Sequence, residues 1–326
     1  MPWSLDTVGE RVVVESSLAW VAELLAEAAG GELESHSDTE GAVRVNVEAE
    51  RSPFPTEGWN VLARDARDKG GSVVIRNVCT TGFDLHATCT ELGVDFTYRW
   101  RPAARERATG ALLRSRFHLL ARAALIQYPA LWWAGVEGRA PLHASACTVE
   151  GSTPLVTAPS GVGRSTFVLQ VLAEGGTATG DNLSAGDGTT VFGLAEPIRV
   201  EGGSGRRMPH GRQEVPMRQR APSLEPDSVI VLTRGGATAP SLSALSPVAA
   251  ARSVVTSTYA AGELRRFWAF AATLAAGTGV GPPHPPVMDV ASAFAARLPC
   301  YALEIGARPA PTLAELLREQ EAKAWA

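Results

Sequence analysis

Lysine is almost missing from this 326-residue chain. Only Lys69 and Lys323 carry it, and the rest of the side-chain cations are arginine. Such a skew is what genome-wide pressure on codon composition produces, so an arginine standing where lysine is usual reads as a drifted but still cationic residue. Cysteine is scarce too. Cys79, Cys89, Cys147 and Cys300 form no CxxC pair and have no histidines at metal spacing, which argues against a zinc site and for free buried thiols in a reducing compartment. No apolar run reaches the roughly 18 residues of a membrane helix, and the opening Met-Pro-Trp-Ser-Leu-Asp lacks the basic and apolar regions of a secretion signal. A soluble, cytoplasmic protein with no membrane partner is expected. Internal repeats and low-complexity tracts are lacking as well.

A hydrophobic content of 45% supports ordinary cores, and the length suits two domains of about 100–200 residues each. Charge is uneven: residues 1–100 hold 17 acids against 8 bases, and the remainder holds 17 against 22. An excess of base in the C-terminal part suits phosphate ligands or an acidic peptide. Its densest cluster, Arg206, Arg207, Arg212, Arg218 and Arg220, is broken by Pro209, Gly211 and Pro216. It reads as a mobile loop that grips phosphates or substrate, or equally as arginines facing water. No aromatics interleave with these arginines and the whole chain carries a net charge of −4, so nucleic acid is not an expected partner.

Before residue 102 the pattern is that of a small α+β domain. Arg11 to Glu15 reads as a strand, Ser17 to Ala29 as an amphipathic helix stopped by Gly30-Gly31, and Val43, Val45 and Val47 alternate with polar neighbours as in a half-buried strand. A short helix is expected near Trp59 to Asp68, with strands at Ser72–Asn77, Phe83–Thr88 and Val94–Trp100. His86 alternates with apolar neighbours and reads as a packed histidine. With no visible catalytic set, residues 1–102 are read as an accessory, partner-binding domain. Residues 103–138 read as a linking helix that ends or breaks at Tyr128-Pro129. Trp132 and Trp133 within it read as packing under a sheet, with a platform for a purine base as the alternative.

The most informative stretch is Leu155 to Gly175, an apolar run, a glycine-bearing turn and a helix-like segment. Gly161 and Gly163 let successive N–H groups curl inward, and a helix starting near Ser165 adds the positive end of its dipole, so Pro159, Ser160, Gly161, Val162, Gly163, Arg164, Ser165 and Thr166 form a candidate phosphate-binding loop. Against G-x-x-x-x-G-K-[ST] the chain reads A-P-S-G-V-G-R-S. Ala158 replaces the first glycine, and Arg164 replaces the lysine. Phe167, Val168, Val171 and Leu172 continue at helical spacing until Gly175-Gly176. A short segment from Thr177 then ends in Asp181-Asn182, and Pro141 to Val149, upstream, reads as one buried strand bearing His143.

Together the LHASA, APSGVGRST and GDN segments resemble the catalytic domain of HPr kinase/phosphorylase and the divergent relatives associated with ribosomally made modified peptides. The likeness covers roughly residues 140–200, including Glu196-Pro-Ile-Arg-Val200. It implies an α/β fold in which residues 139–326 form an HPr kinase-like P-loop domain behind the small α+β domain. By the same resemblance His143 corresponds to the active-site histidine, Gly161, Gly163, Arg164 and Ser165 to the phosphate loop, and Asp181 to the first acid of a pair. Ser165 and Asp181 would hold Mg2+, and ATP or another nucleoside triphosphate would be the cofactor. The second acid, the base that takes the proton from the acceptor serine, falls on Asn182, and an amide accepts no proton at neutral pH. Base assistance would then fall to Asp181, His143 or Asp187, or be lost.

Downstream, Ser228–Thr233 reads as a central buried strand. Helices are expected from Ser246-Pro247 through Val255, over Glu263–Ala276 and over Ala291–Leu298, a strand at Cys300–Ile305, and a last helix over Thr312–Ala324 with Thr312 and Glu315 as a capping box. The resemblance implies a nucleotide-dependent serine/threonine kinase acting on a small protein or a biosynthetic precursor peptide. The alternative is a catalytically silent relative serving as the nucleotide- or peptide-binding subunit of a modification complex. The family's rings make a homo-oligomer an expectation by analogy.

Overall fold

The computed structural model describes residues 2–35, 41–202, 205–208, 211–236, 238–306 and 312–324, the last four as backbone. The chain divides into two compact units: Met1–Gly138 with Ala195–Met217 and Arg266–Pro285, and Arg139–Leu194 with Arg218–Arg265 and Pro286–Ala326.

In the first unit nine strands make one sheet among the described residues, in the spatial order Glu34–Ser35, Trp3–Thr7, Glu10–Ser16, Val43–Glu48, Gly93–Trp100, Phe83–Thr90, Ser72–Ile75, Ala66–Lys69, Asn60–Ala63. Glu10–Ser16 runs parallel to Val43–Glu48, which in turn runs parallel to Gly93–Trp100. Parallel neighbours need a crossover. Helix Ala19–Ala28 lies in the first of these, burying Val21, Leu24, Leu25 and Ala28 and followed by Gly30 and Gly31 at φ of 63° and 87°. Val43, Val45 and Val47 are buried as their alternation predicts.

Two expectations for this unit fail. No helix forms near Trp59–Asp68. Asn60–Ala63 and Ala66–Lys69 are antiparallel strands, because Gly70-Gly71, at φ of 55° and 79°, turns the chain so that Lys69 pairs with Ser72 and register spreads outward from there. The single linking helix expected after residue 103 is in pieces, and the break expected at Tyr128-Pro129 falls at a π-helical turn just before it. Helices Ala104–Leu112 and Arg114–Arg122 lead through a π-helical turn, Ala123–Gln127, into Tyr128–Val136. Pro129 sits in the first turn of that last segment, directly after the π-helical turn, and Tyr98 Oη donates to the Ala124 carbonyl at 2.6 Å. Trp132, 2% exposed, packs edge-on to Phe96 with ring centroids 5.9 Å apart. His86 is held between Phe54 and Trp59, and burial pushes its pKa down.

Two later segments return to this unit. In one, Ile198–Val200 pairs antiparallel with Gln213–Val215, and Arg206 forms an ion pair with Glu27 at 2.7 Å. The arginine-rich stretch thus contains a strand and an ion pair, while Pro209 lies outside the described residues. In the other, helix Phe267–Thr278 packs on the outer strands. It begins after a 3-10 turn at Gly262–Leu264, so the helix expected from Glu263 starts later. A Cβ on Gly277 would lie 2.4 Å from Cγ2 of Val73 and 2.6 Å from Cδ1 of Leu62, and only glycine permits that approach.

The second unit holds a five-stranded sheet in the order Ala144–Ala146, Pro154–Thr157, Ser228–Arg234, Cys300–Ile305, Ser241–Ala244. Its three middle strands are parallel and its edges antiparallel. Ser228–Leu232 is buried throughout, as a strand covered on both faces should be. Ala140–Leu142, Ser184–Gly186, Val191–Gly193 and Ser223–Leu224 form a second sheet. The single strand expected over Pro141–Val149 is split at His143, its halves lying in different sheets. The strand expected to end at Asp181 is replaced by an isolated bridge at Ala178 and a bend, the regular strand starting only at Ser184.

Side-chain caps mark two helix starts in this unit. Ser246 accepts from the Ala249 amide at 3.3 Å ahead of Pro247–Ala260. The helix expected from Ala291 begins earlier, at Val287, after Pro286. Thr312 and Glu315 form the expected reciprocal box, with Thr312 N donating to Glu315 Oε2 at 2.7 Å and Glu315 N to Thr312 Oγ1 at 3.3 Å.

Candidate functional site

The buried strand Pro154–Thr157 feeds a turn in which the Val162 amide donates to the Pro159 carbonyl at 3.3 Å. Gly161 at φ 82° and Gly163 at φ 125° occupy conformations that side chains oppose. Helix Arg164–Ala173 follows, with Gly163 as its cap and the Gly163 carbonyl accepting from Phe167 N at 2.9 Å. Pro159, Ser160, Gly161 and Thr166 are exposed, and Val162, Gly163 and Ser165 are half-buried. The backbone at the head of this helix is thus open to solvent, where its first amides have no partner within the helix.

Arg164 does not share that exposure. It is 6% exposed and its guanidinium turns inward. Nε donates to the Asp181 carbonyl at 3.1 Å, Nη2 to the Asn182 carbonyl at 3.0 Å, and Nη1 to the His143 carbonyl. The rigid fork of donors that distinguishes arginine from lysine is what lets one side chain reach three carbonyls. The structure therefore gathers His143, Asp181 and Asn182 around Arg164, but through their backbones.

Their side chains carry a different message. Asp181 is 1% exposed, and both its carboxylate oxygens are enclosed with no hydrogen-bond partner among the described residues. His143 donates its backbone N–H to Thr258 Oγ1 at 3.0 Å, while its Nδ1 is enclosed without a partner. Burial drives the His143 pKa down to about 3; the Arg164 charge pushes the same way and Glu263 opposes. The ring is neutral across the physiological range, neither a stored proton nor an effective base. Asn182 is 8% exposed. Asp187 sits in an exposed turn, its Oδ1 accepting from the amides of Thr189 and Thr190, both at 2.7 Å. Cys147 is buried beside Ser145, and desolvation raises its thiol to about 12, which makes it inert.

Sequence reasoning missed Arg234. It ends the central parallel strand, and its Nη2 lies 4.0 Å from where a Cβ on Gly163 would stand. Among the described residues it has no hydrogen-bond or ion-pair partner. Ligands of open α/β sheets gather beyond the carboxyl ends of parallel strands, and the end of the SVIVLT run was the signal that pointed there. Thr166, Phe167, Gln170 and Val171, on one side of the loop helix, line a cavity of about 290 Å³ that also includes Val162, Gly163 and Arg234.

Among the described residues no group of three or more His, Cys, Asp or Glu side chains is placed to hold a metal ion, and no helix is long and apolar enough to cross a membrane. No family model matches the chain, and no curated protein matches it. Among solved structures the chain is similar to the HPr(Ser) kinase/phosphatase from Coxiella burnetii, with 11% identity and a TM-score of 0.30 over 57% of this chain and 99% of that one. The likeness is distant: an α/β fold loosely resembling that of the HPr kinase/phosphatase, without membership of the family being established.

Proposed function

We propose that this chain is a nucleotide-binding subunit that holds a triphosphate on its loop amides and has lost phosphoryl transfer to serine or threonine. The observation that carries this reading is the inward turn of Arg164 onto three backbone carbonyls. A kinase loop needs a cation on the transferred phosphate and an acceptor for the incoming hydroxyl's proton. Here the cation at the lysine position is spent on the fold. Asn182 cannot take the proton, His143 stays neutral down to a pKa of about 3, and Asp187 is committed to its turn. Loss of base assistance alone costs about 10²- to 10⁴-fold in rate.

Three observations support binding without transfer. Gly161 and Gly163 shape an exposed loop, and the helix adds its positive end. Asp181 fits a magnesium role, since its carboxylate oxygens have no hydrogen-bond partner among the described residues, and Ser165 stands at the loop position that supplies a hydroxyl. Magnesium bound by one carboxylate, a hydroxyl, phosphate oxygens and water would neutralise triphosphate charge. The first unit, with no catalytic set among its described residues, takes the partner-binding role in this reading, its ligand a small protein or precursor peptide.

The kinase reading keeps one observation in its favour, the same unengaged Asp181 carboxylate, which could receive a proton. Calorimetry with ATP and magnesium, followed by mass spectrometry of acceptor peptides, separates the two. Binding is expected with no gain of about 80 Da, the mass of a phosphoryl group, and the double substitution Arg164→Lys, Asn182→Asp is expected to create transfer. Stoichiometric phosphorylation of an acceptor by the unaltered chain would overturn the proposal.

A further inference from the structure

We infer that the cavity beside the loop helix is a nucleoside pocket and that Arg234 supplies the phosphate-facing cation that Arg164 no longer provides; this rests on the nucleotide-binding reading above. The helix contributes to its wall along its whole length, from its cap Gly163 through Thr166 and Gln170 to Glu174 at its end, about three turns and a span of about 16 Å at 1.5 Å per residue. That length exceeds what a phosphate tail at the helix head requires. The body of the cavity is apolar, with Val162, Phe167, Leu303, Ile305, Leu313 and Leu316 in its lining. Leu303, Leu313 and Leu316 belong to the buried core under the sheet, so this wall is built by the fold rather than by loose surface chains. At about 290 Å³ it lies at the lower end of small-molecule sites.

The polar groups are placed asymmetrically. Where the cavity meets the phosphate loop, Gly163 and Arg234 stand together, and Arg234 has no partner among the described residues. Away from the loop, Glu174 ends the lining of the helix and already accepts from Gln170 Nε2 at 3.0 Å, leaving carboxylate acceptor capacity for an amino or hydroxyl donor. A ligand matching this layout has a polyanion at one end, a flat apolar body and a donor at the other. A nucleoside triphosphate bearing an exocyclic amine has that form. Arg164 and Arg234 thus divide what one lysine does elsewhere: the first braces the loop from inside, and the second meets the anion from the neighbouring strand.

Calorimetry on the full chain, with magnesium present, compares ATP with inorganic tripolyphosphate. ATP is expected to bind at least about tenfold more tightly. Gln170→Trp, on an exposed helical position, directs bulk into the cavity and is expected to bring ATP down to the affinity of tripolyphosphate; Leu316→Phe fills the same space from the core side. Arg234→Ala is expected to weaken both ligands by about tenfold or more, the loss of a charge-assisted hydrogen bond. Equal affinity of the two ligands for the unaltered chain overturns the pocket and leaves the phosphate loop standing. An ATP advantage that survives both cavity-filling variants overturns it too, and unchanged binding in Arg234→Ala removes Arg234 from the site. If neither ligand binds, the nucleotide reading itself falls and the pocket with it.

Discussion

At residue 164, stability rather than phosphate affinity is the property at stake. Removing the guanidinium takes a donor from three buried carbonyls; that of His143 keeps Thr157 Oγ1 at 3.2 Å, and those of Asp181 and Asn182 lose the fork. Each buried acceptor left unsatisfied costs about 1–3 kcal/mol. Arg164→Ala is therefore expected to lose roughly 2 kcal/mol or more in chemical denaturation, and Arg164→Lys, with a single ammonium in place of the fork, to fall between that variant and the unaltered chain. His143 gives a pH prediction. Its pKa is about 3 folded against the ordinary histidine value of 6.5, so between those values the unfolded chain binds the extra proton and stability falls as pH falls. The slope approaches about 1.4 kcal/mol per pH unit below pH 6.5. Denaturation at pH 7 and pH 5 should show it, and His143→Asn should flatten it. That Arg164 departs from a lysine pattern was legible in the sequence; where its guanidinium goes was not, because its acceptors are main-chain groups whose position depends on bends formed elsewhere.

For the individual elements, legibility followed the strength of the local signal. The Val43–Val47 alternation, the Ser228–Leu232 apolar run and the Thr312–Glu315 box each act within a few residues and survived into the fold. Asn60–Lys69 did not, since its strand state comes from pairing with Ser72–Ile75 across the Gly70-Gly71 turn, and pairing overrides weak propensity. His143 was assigned to a continuous strand because periodicity cannot show that a chain changes sheets. Packing of the Phe267–Thr278 helix supplies a test of element contact. Gly277→Val would drive a side chain into Val73 and Leu62, and overpacking of this kind costs about 1–3 kcal/mol. A lowered thermal midpoint without loss of binding to the second unit's loop is the expected result.

Over the whole molecule the chain leaves the first unit after Gly138 and re-enters it at Ala195 and at Arg266. Periodicity groups residues that are neighbours along the chain, so these returns were invisible to it, and the charge contrast between the N-terminal hundred residues and the remainder gave no hint of them. A fragment ending at Gly138 lacks Ala195–Met217 and Arg266–Pro285 and so lacks the helix that packs on its outer strands. Such a fragment is expected to bind hydrophobic dyes and to lose near-ultraviolet circular dichroism. A cooperative native fragment would show that the returning segments are dispensable.

The brace under the loop recognises main-chain oxygens, which every amino acid except for its side chain offers alike. Its hydrogen bonds therefore place no demand on the side chains of residues 143, 181 and 182. A histidine, an aspartate and an asparagine found there owe their presence to something other than the brace.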